Sequence, residues 1–481
     1  MGGGSAQLNA HYRVSPAEGI AGHVGPAVGV KHAVGCTNNR LLPVLRGTFN
    51  VEYFTSPDLS GPVVFREERV DGEAMWFNEV APGVDRAPFS ARLSGRYTPE
   101  TGGEHQFGLT SVGLSRLFLN GTLLVDNWEA WTPGDTYFGA GSTEAIRTTN
   151  LEANRTYDVA VEYAYPTDGP LGIKAVHIGA MRPLGDEALE EAVRLAAAAD
   201  VAVLCVGLNG EWDTEGQDRP HMDLVGRQNE LIARVAAANP RTIVVLQSGG
   251  PVTMPWLSQV PAVLQAWYPG QECGNAIADV LFGETDAAGR LPQTFPVRLE
   301  DNPAFINYPG ENGRVRYGEG IFVGYRYYDK KQIEPLFPFG YGLSYASFGY
   351  ANLRLSIASL APDDDLTVSI DVTNTSARAG QEVVQLYVSD PQARLMRPSK
   401  ELKGFRKVSL QPGETTTVGL KLDMRALAYF DDAAAAWVAD AGMFEVLVGS
   451  SSRDIRARGT FTLTGDWLQP VDTAERPPVE P

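Results

Sequence analysis

The pattern of apolar and polar positions changes along the chain and predicts more than one kind of domain. Between about residues 45 and 180, short runs of β-branched and aromatic residues are separated by turn signals, as in Pro88–Tyr97 and Thr156–Tyr163. The dipeptide Asn120-Gly121 stands between two such runs, which is the strongest short-range signal for a β-hairpin. Regular short strands without intervening helices predict a sandwich or a barrel.

From Asp186 onward the apolar positions take a helical period, and Asp186 itself is predicted to cap the helix. The run Val201–Val206 that follows predicts a strand buried on both faces, with Cys205 as a small buried thiol. Further predicted elements are a helix over Gln228–Ala238 and buried strands over Thr242–Leu246 and Ala262–Trp267. Alternating strands and helices are typical of an α/β layered domain.

Beyond about residue 352 the alternation becomes strict, as in Leu366, Val368, Ile370 and Val372, which share one face of a predicted strand. About seven strands in roughly 115 residues predict an immunoglobulin-like sandwich. The tail, rich in proline and acidic residues, is predicted to be disordered.

Composition and charge narrow the function classes. The 481 residues, of which 43% are hydrophobic and 20% charged, predict a globular protein of about three domains. No stretch of eighteen uninterrupted apolar residues occurs, and the net charge of −18 would repel nucleic acid and anionic lipid. We therefore expect neither nucleic acid nor a membrane as a partner. The three widely spaced cysteines predict no disulfide scaffold, and they favour the cytoplasm without fixing the location.

The richest chemistry follows the predicted strand Val201–Val206. Four carboxylates stand within eight residues there, accompanied by a single arginine: Glu211, Asp213, Glu215, Asp218 and Arg219. Ligands collect beyond the carboxyl ends of strands in α/β sheets, and neighbouring negative charge raises a carboxyl pKa toward the range of a general acid. By composition alone, a solvated acidic loop and a catalytic loop both remain open. Neither paired histidines nor a glycine-rich phosphate loop is found, so no metal and no cofactor are expected.

Several separate motifs carry a resemblance to a known family. The acidic loop runs Gly207-Leu-Asn-Gly-Glu211-Trp-Asp-Thr-Glu215-Gly-Gln-Asp218-Arg219, and later segments read Ser248-Gly-Gly-Pro251, Gln265-Ala-Trp267-Tyr-Pro-Gly270, Gly289-Arg-Leu-Pro292 and Phe337-Pro-Phe-Gly-Tyr-Gly342. Together they resemble a family-three glycoside hydrolase of the β-glucosidase type. The resemblance covers nearly the whole chain.

The same resemblance implies a domain plan. Gly47-Thr-Phe-Asn-Val-Glu-Tyr-Phe54 is similar to the protective-antigen-like β-barrel inserted in one branch of this family, and Val383-Val-Gln-Leu-Tyr-Val388 is similar to its fibronectin type III-like end domain. We thus expect a multidomain α/β plus all-β fold, in which an α/β sandwich domain is interrupted by the barrel and followed by an immunoglobulin/fibronectin III-like β-sandwich. The expected ranges are 1–44 for the first part of the α/β sandwich domain, 45–180 for the insert, 181–349 for the rest of the α/β domain, 350–465 for the β-sandwich and 466–481 for the tail.

Family members begin with a (β/α)₈-type barrel that carries an aspartate nucleophile. The opening residues, Gly2 to Tyr12, resemble instead a stretch inside the family's α/β domain. The resemblance therefore implies the C-terminal portion of a retaining β-glucosidase-like enzyme, inactive alone, with the missing barrel polypeptide or a homo-oligomer as partner. Its expected substrate is a terminal β-D-glucosyl or related β-glycoside or oligosaccharide.

Two carboxyl groups serve a retaining glycosidase, and this chain is expected to supply the one that acts as acid and base. The resemblance points to Glu211 for that role, with Glu215 as the alternative. Asp218 and Arg219 are expected to hold the loop by an internal ion pair.

Three tryptophans are candidates for stacking on sugar rings: Trp128, Trp131 and Trp212. Packing within the domains is the alternative role for each of them. Two other functions remain open for the chain, a non-catalytic carbohydrate-binding or accessory protein and an interaction module.

Overall fold

The computed structural model describes residues 2–8, 10–77, 79–84, 86–167 and 172–471. Its first α-helix, α1, spans Pro16–Val24. The Ser15 hydroxyl accepts the N–H of Glu18 at 3.3 Å, and the Glu18 carboxylate accepts the N–H of Ser15 at 2.7 Å. This capping box, with proline at the first helical position, fixes where α1 begins.

Among the described residues, ten strands come directly after α1 and form two antiparallel sheets around one core. They are β1 Arg46–Phe54, β2 Phe65–Asp71, β3 Glu73–Trp76, β4 Phe89–Tyr97, β5 Gly103–Val112, β6 Leu114–Leu119, β7 Thr122–Asn127, β8 Ala145–Leu151, β9 Tyr157–Tyr165 and β10 Lys174–Met181. The described sheets have the orders β2-β1-β4-β9-β6-β7 and β3-β10-β5-β8. Phe49 and Tyr53 of the first sheet share one apolar cluster with Trp76 and Phe107 of the second. The two faces therefore bury each other as a pair of packed sheets.

The predicted hairpin at Asn120-Gly121 is confirmed. Strands β6 and β7 pair in antiparallel register on either side of it. Asn120 has φ 49° and Gly121 has φ 76°, the left-handed pair that a tight hairpin turn with matching twist requires. Asn-Gly suits this turn because both residues tolerate positive φ.

The next part of the chain is a mixed α/β layer. It contains α2 Asp186–Ala197, β11 Ala202–Gly207, α3 Gln228–Ala238, β12 Thr242–Gln247, β13 Ala262–Gln265, α4 Cys273–Phe282 and α5 Tyr325–Lys331. The three strands pair in parallel in the order β11-β12-β13. Val244 and Leu246 of β12 pack on Trp256 on one side, while Val245 packs on Cys273 on the other. The central strand is thus buried on both faces, as its unbroken apolar run predicted.

Two predictions for this layer are wrong in detail. Helix α2 is preceded by Gly185 as its N-cap residue, and Asp186 makes no side-chain cap; its carboxylate binds Arg227 at 2.6 Å instead. Cys205 is exposed rather than buried. Strand β11 pairs with β12 along one edge and has no strand partner along its other edge within the described residues, and Cys205 on this edge strand is exposed.

The remaining strands form an all-β domain. They are β14 Phe348–Leu355, β15 Ser359–Leu360, β16 Leu366–Asn374, β17 Gly380–Ser389, β18 Glu401–Leu410, β19 Thr415–Leu422, β20 Tyr429–Asp431, β21 Ala436–Ala439, β22 Gly442–Gly449, β23 Ile455–Leu463 and β24 Trp467–Pro470, with the short helix α6 Met424–Leu427 before β20. Sheets β14-β16-β19 and β15-β23-β22-β17-β18 face each other, and β20-β21-β24 forms a third, small sheet. Leu366, Val368, Ile370 and Val372 are at most 2% exposed, which confirms the alternation predicted for β16.

Strand β24 corrects the prediction that the tail is disordered from residue 466, because Trp467–Pro470 pairs with β21. Residues 472–481 of that tail lie outside the described residues. Short 3-10 turns lie at Gly4–Ala6, Gly25–Ala27, Tyr137–Gly139, Leu257–Gln259 and Leu299–Asp301. Across the described residues, no helix combines the length and the apolar character needed to cross a membrane.

Strand β17 attaches the all-β domain to the α/β layer. Its Tyr387 ring lies 5.9 Å from the ring of Tyr325, and the Gln385 amide donates to the carbonyl of Gly340 at 3.2 Å. Both faces of β17 are buried as a result, one in the sandwich core and one against residues 325–340.

Candidate active site

The acidic loop begins where β11 ends, beside the ends of the two neighbouring strands. Gly207 is in register with Gln247 of β12, so the loops after the parallel strands emerge at one edge of the sheet. The Asp213 carboxylate joins them: it accepts the N–H of Gly249 at 2.7 Å and the hydroxyl of Tyr268 at 2.5 Å. Burial and the Asp213 carboxylate both raise the pKa of Tyr268 above its ordinary value, which keeps this hydroxyl a donor.

The ion pair predicted inside the loop has a different acidic member. Arg219 approaches Asp213 at 3.5 Å and donates to the carbonyl of Pro251 at 3.0 Å. Asp218 instead accepts the hydroxyl of Tyr308. The expected pairing of neighbours fails because Arg219 reaches Asp213 and Pro251, while Asp218 reaches Tyr308.

Glu211, the first choice for the acid/base role, is half-buried and bound by backbone. Its Oε2 atom accepts the N–H of Arg40 at 2.7 Å and that of Leu41 at 3.4 Å. The Asn209 side chain flanks it, with its amide 3.5 Å from the same oxygen. The carboxylate of Glu211 thereby holds the connector 38–42 against the acidic loop.

Glu215, the alternative, is exposed on the same loop. Its Oε2 atom accepts the N–H of Ser5 at 2.9 Å. Hydrogen bonds from the side chain and backbone of Ser5 lower the pKa of Glu215 below its ordinary value. The Glu215 carboxylate is therefore accessible to a ligand from solvent, whereas the Glu211 carboxylate already accepts hydrogen bonds from two backbone amides.

A cavity of about 740 Å³ runs along this edge. It is lined from three parts of the chain, the opening residues, the acidic loop and the ten-stranded unit, which contribute among others Gly3, Arg40, Glu211, Tyr137 and His177. The three predicted tryptophans are absent from the lining in the part of the chain that the structure describes.

Each of those tryptophans has a protein partner. The indole N–H of Trp212 donates to the carbonyl of Asn38 at 2.8 Å. The Arg116 guanidinium lies 4.5 Å from the ring centre of Trp128, and the indole N–H of Trp131 is 3.4 Å from the carbonyl of Ser111. These contacts favour the packing role that was the alternative to sugar stacking.

Sequence reasoning missed an exposed aromatic side chain beside the acidic loop. Phe138 is 53% exposed and lies in the left-handed region with φ 60°, as does Tyr137 with φ 51°. Its ring touches Gly216, since a Cβ atom placed on that glycine would lie 2.2 Å from Cδ1 of Phe138. The signal in the sequence was the pair Tyr137-Phe138 before Gly139, but the partner of this loop lies far away in the chain.

It also missed a buried polar seam between the ten-stranded unit and the connector. His177 Nε2 lies 2.9 Å from the carbonyl of Leu42, and both Glu144 oxygens accept the N–H of Leu42, at 3.0 and 3.2 Å. Burial would lower the pKa of His177, but the hydrogen bonds to Glu73 and Leu42 outweigh it and raise the pKa. Burial raises the pKa of Glu144.

Comparison with known proteins identifies matching families for most of the chain. The model of the glycosyl hydrolase family 3 C-terminal domain matches residues 1–345, and that of the fibronectin type III-like domain matches residues 382–452. The first match spans the opening residues, the ten-stranded unit and the α/β layer, and the second spans the middle of the all-β domain.

Several similar proteins are named as β-glucosidases. A β-glucosidase of Rhizobium radiobacter is 51% identical over 475 residues, covering 97% of this chain and 58% of the relative. The crystal structure of a Kluyveromyces marxianus β-glucosidase in complex with glucose superposes with a TM-score of 0.89 at 39% identity, over 97% of this chain and 57% of that one. A Streptomyces venezuelae β-glucosidase in complex with D-glucose gives a TM-score of 0.67 at 30% identity, over 96% and 54%. The chain thus spans little more than half the length of these relatives.

Proposed function

Because the chain belongs to glycosyl hydrolase family 3, we propose that it forms part of a retaining β-glucosidase and supplies the acid/base carboxylate. The observation that carries the proposal is the exposed Glu215 on the loop at the carboxyl edge of the parallel sheet. The relatives named as β-glucosidases support the substrate class, a terminal β-glucosyl residue.

Glu211 lines the cavity and Glu215 is not among its described lining residues, but the Glu215 carboxylate is the freer of the two. An acid/base carboxyl must give its proton to the leaving oxygen and then, as a carboxylate, take a proton from the attacking water. The Glu211 carboxylate is engaged by the amides of Arg40 and Leu41, and withdrawing it would leave those donors unpaired. Glu215 gives up only its contacts with Ser5 on the surface.

The Ser5 contact has to change when substrate binds. A carboxyl that donates a proton at neutral pH needs a raised pKa, whereas Ser5 lowers that of Glu215. In this proposal the leaving group excludes water from Glu215 and takes the place of Ser5. Both changes favour the protonated form and move the pKa upward.

We also propose that Phe138 forms one wall of the leaving-group side. Its exposed ring lies on Gly216, next in sequence to Glu215, so a leaving group protonated there would meet an apolar face. Phe138 belongs to the ten-stranded unit, which we propose is a protective-antigen-like insert. Trp128 and Trp131, predicted for this role, are covered by Arg116 and directed to Ser111.

The nucleophile in this proposal lies in the part of the family's length that the chain does not match. Retention requires a second carboxylate about 5–5.5 Å from the first. The 58% coverage of the Rhizobium radiobacter relative leaves room for it outside the matched region.

The test joins the chain to the unmatched part of that relative and measures aryl β-glucoside hydrolysis, beside the chain alone. We expect turnover in the joined protein and a loss of roughly 10²- to 10⁴-fold in Glu215→Ala with a substrate that needs acid assistance. On a dinitrophenyl β-glucoside, whose leaving group departs without a proton, azide should restore turnover in Glu215→Ala and yield β-glucosyl azide, because the small anion attacks the glycosyl-enzyme from the vacated position and needs no general base.

Glu211→Gln is the matched control. It should lower stability without azide rescue, since it removes a charge that holds backbone amides. If azide rescued Glu211→Gln and did not rescue Glu215→Ala, the acid/base role would belong to Glu211. Binding of glucose by a folded joined protein without any turnover would favour the non-catalytic alternative.

A further inference from the structure

Three segments that are distant in sequence meet in a closed ring of side-chain contacts next to the acidic loop. Arg40 Nη1 donates to Oε1 of Gln217, and Nε2 of Gln217 donates to the carbonyl of Asp135 at 3.3 Å. The ring closes because Nη2 of Arg40 lies 2.6 Å from the Asp135 carboxylate. Both ends of the Gln217 amide and both terminal nitrogens of Arg40 are thereby used.

Arg40 is held at its centre from several directions. Its side chain is 17% exposed, its guanidinium lies 5.6 Å from the ring centre of Trp212, and its backbone N–H donates to Glu211 at 2.7 Å. Its Nη1 also approaches the carbonyl of Glu211 at 3.4 Å. A planar guanidinium with so many partners has one orientation, which a flexible ammonium would not share.

The ring spans the distance between the proposed acid/base and the proposed leaving-group wall. Gln217 stands two positions after Glu215, and Asp135 stands three positions before Phe138. The Phe138 ring in turn rests on Gly216. Arg40 therefore determines how the insert loop that carries Phe138 stands relative to Glu215.

A merely structural ion pair is the competing explanation, and its consequences differ. Asp135 is 76% exposed, so the pair itself adds little to stability. Removing a purely stabilising contact would affect all substrates alike. Removing a contact that sets the acid/base geometry would affect those substrates whose leaving group needs the proton, because an ångström of misplacement is enough to slow a reaction about 100-fold.

We propose that Arg40 is a positioning residue that couples the insert to the acid/base loop, through Asp135 on one side and Gln217 on the other. This inference rests on the proposed function. It adds that the insert and the acidic loop together determine which leaving groups are accepted, and that Arg40 holds the two segments in position.

The experiment compares substrates that differ in their demand for a proton, in the joined protein described above. A dinitrophenyl β-glucoside leaves without acid assistance, whereas an alkyl β-glucoside requires it. For Arg40→Ala and Asp135→Ala we expect kcat/KM on the alkyl glucoside to fall about 10- to 100-fold. On the dinitrophenyl glucoside, kcat/KM of the same variants should fall less than about threefold, because glycosylation by this substrate does not use the proton.

Arg40→Lys supplies the conservative variant and Arg155→Ala the matched control. Lysine keeps the charge but cannot bridge Asp135 and Gln217 in one plane, so it should restore only part of the alkyl-glucoside activity. Arg155 makes an exposed ion pair with Glu152 at 2.6 Å in the same ten-stranded unit, with side-chain exposures of 54% and 72%. Arg155→Ala should leave kcat/KM unchanged on both substrates.

The outcomes separate this inference from the function on which it rests. Equal losses on both substrates, or no loss in Asp135→Ala, would overturn the positioning role even if Glu215→Ala is rescued by azide. Failure of the azide rescue would overturn the proposed function first, whatever Arg40 does. Selective loss on the alkyl glucoside together with azide rescue would support both.

Discussion

The all-β domain and the α/β layer are joined by a buried ion pair whose removal should be costly. Arg290 Nη2 lies 2.6 Å from Oε1 of Glu382 on β17, and the two side chains are only 9% and 7% exposed. Glu382 Oε1 also accepts the N–H of Val383 at 2.7 Å. Arg290 has less support, since its Nη1 donates to the carbonyl of Gly289 at 3.3 Å and its Nε is buried without a hydrogen-bond partner among the described residues.

The two partners should therefore differ when removed singly. Glu382→Leu leaves a buried guanidinium without its carboxylate, a change that costs about 3–5 kcal/mol in comparable pairs. Arg290→Met should cost less, because the Glu382 carboxylate keeps the N–H of Val383. The double variant removes both charges, and replacing a buried pair with apolar side chains is roughly neutral. The free-energy changes of the single variants should thus greatly exceed that of the double variant.

Native-state hydrogen exchange measures this locally, which suits a chain with several domains whose unfolding is not a single transition. Because every 1.4 kcal/mol is tenfold in an equilibrium constant, Glu382→Leu should speed exchange in peptides from β17 by roughly 100- to 4,000-fold. Arg458→Ala is the control in the same domain, since its pair with Glu445, with side chains 58% and 31% exposed, lies near the surface and is worth about 0–1 kcal/mol. A change below about fivefold in Glu382→Leu, or a double variant as damaged as the single one, would refute the reasoning.

Two further substitutions test the neighbourhood of the site. Gly207→Ala should destabilise the α/β layer by more than about 3 kcal/mol, because φ is 149° there and the new Cβ would lie 1.8 Å from the carbonyl oxygen of Gln247. Gly22→Ala, whose new Cβ meets nothing within 4 Å in α1, should be neutral or stabilising, and native-state hydrogen exchange of the α/β layer measures both. For His177→Gln, the contact with Glu73 raises the pKa of the folded histidine, so its stabilising contribution is complete below the ordinary pKa of about 6.5 and is lost as pH rises through the raised value. The difference in Tm between wild type and His177→Gln should therefore be larger at pH 6 than at pH 9, and a constant difference would contradict this.

Local signals in the sequence were enough for most of the fold. The Asn120-Gly121 turn, the helix Gln228–Ala238 and the parallel strands were predicted because each depends on nearby residues and on one dominant period. The exposure on β11 was not predicted, because an apolar run does not show whether neighbouring elements cover both faces of a strand. Cys205 is exposed for that reason, while Val245 at the equivalent level of β12 is completely buried.

The candidate site was predicted less completely, because its contacts join residues far apart in the chain. The acidic loop itself was found from its composition and its place after a strand. Arg40 could not be found in this way, as it lies 177 positions from Gln217 and no local pattern marks it. The expected pair of Asp218 and Arg219 failed on the same account, since sequence proximity does not decide which carboxylate a flexible arginine reaches.

The roles of the loop's four carboxylates follow from where their donors come from. Glu211 is held by the amides of the connector, Asp213 by the loops after β12 and β13, and Asp218 by Tyr308 of the segment before α5. Glu215 has an exposed carboxylate and a contact with Ser5. Hydrogen bonds from distant segments hold three of the four carboxylates and leave that of Glu215 at the surface, so those segments decide which carboxylate is available. A substitution in the connector can consequently alter the chemistry of a glutamate it does not touch.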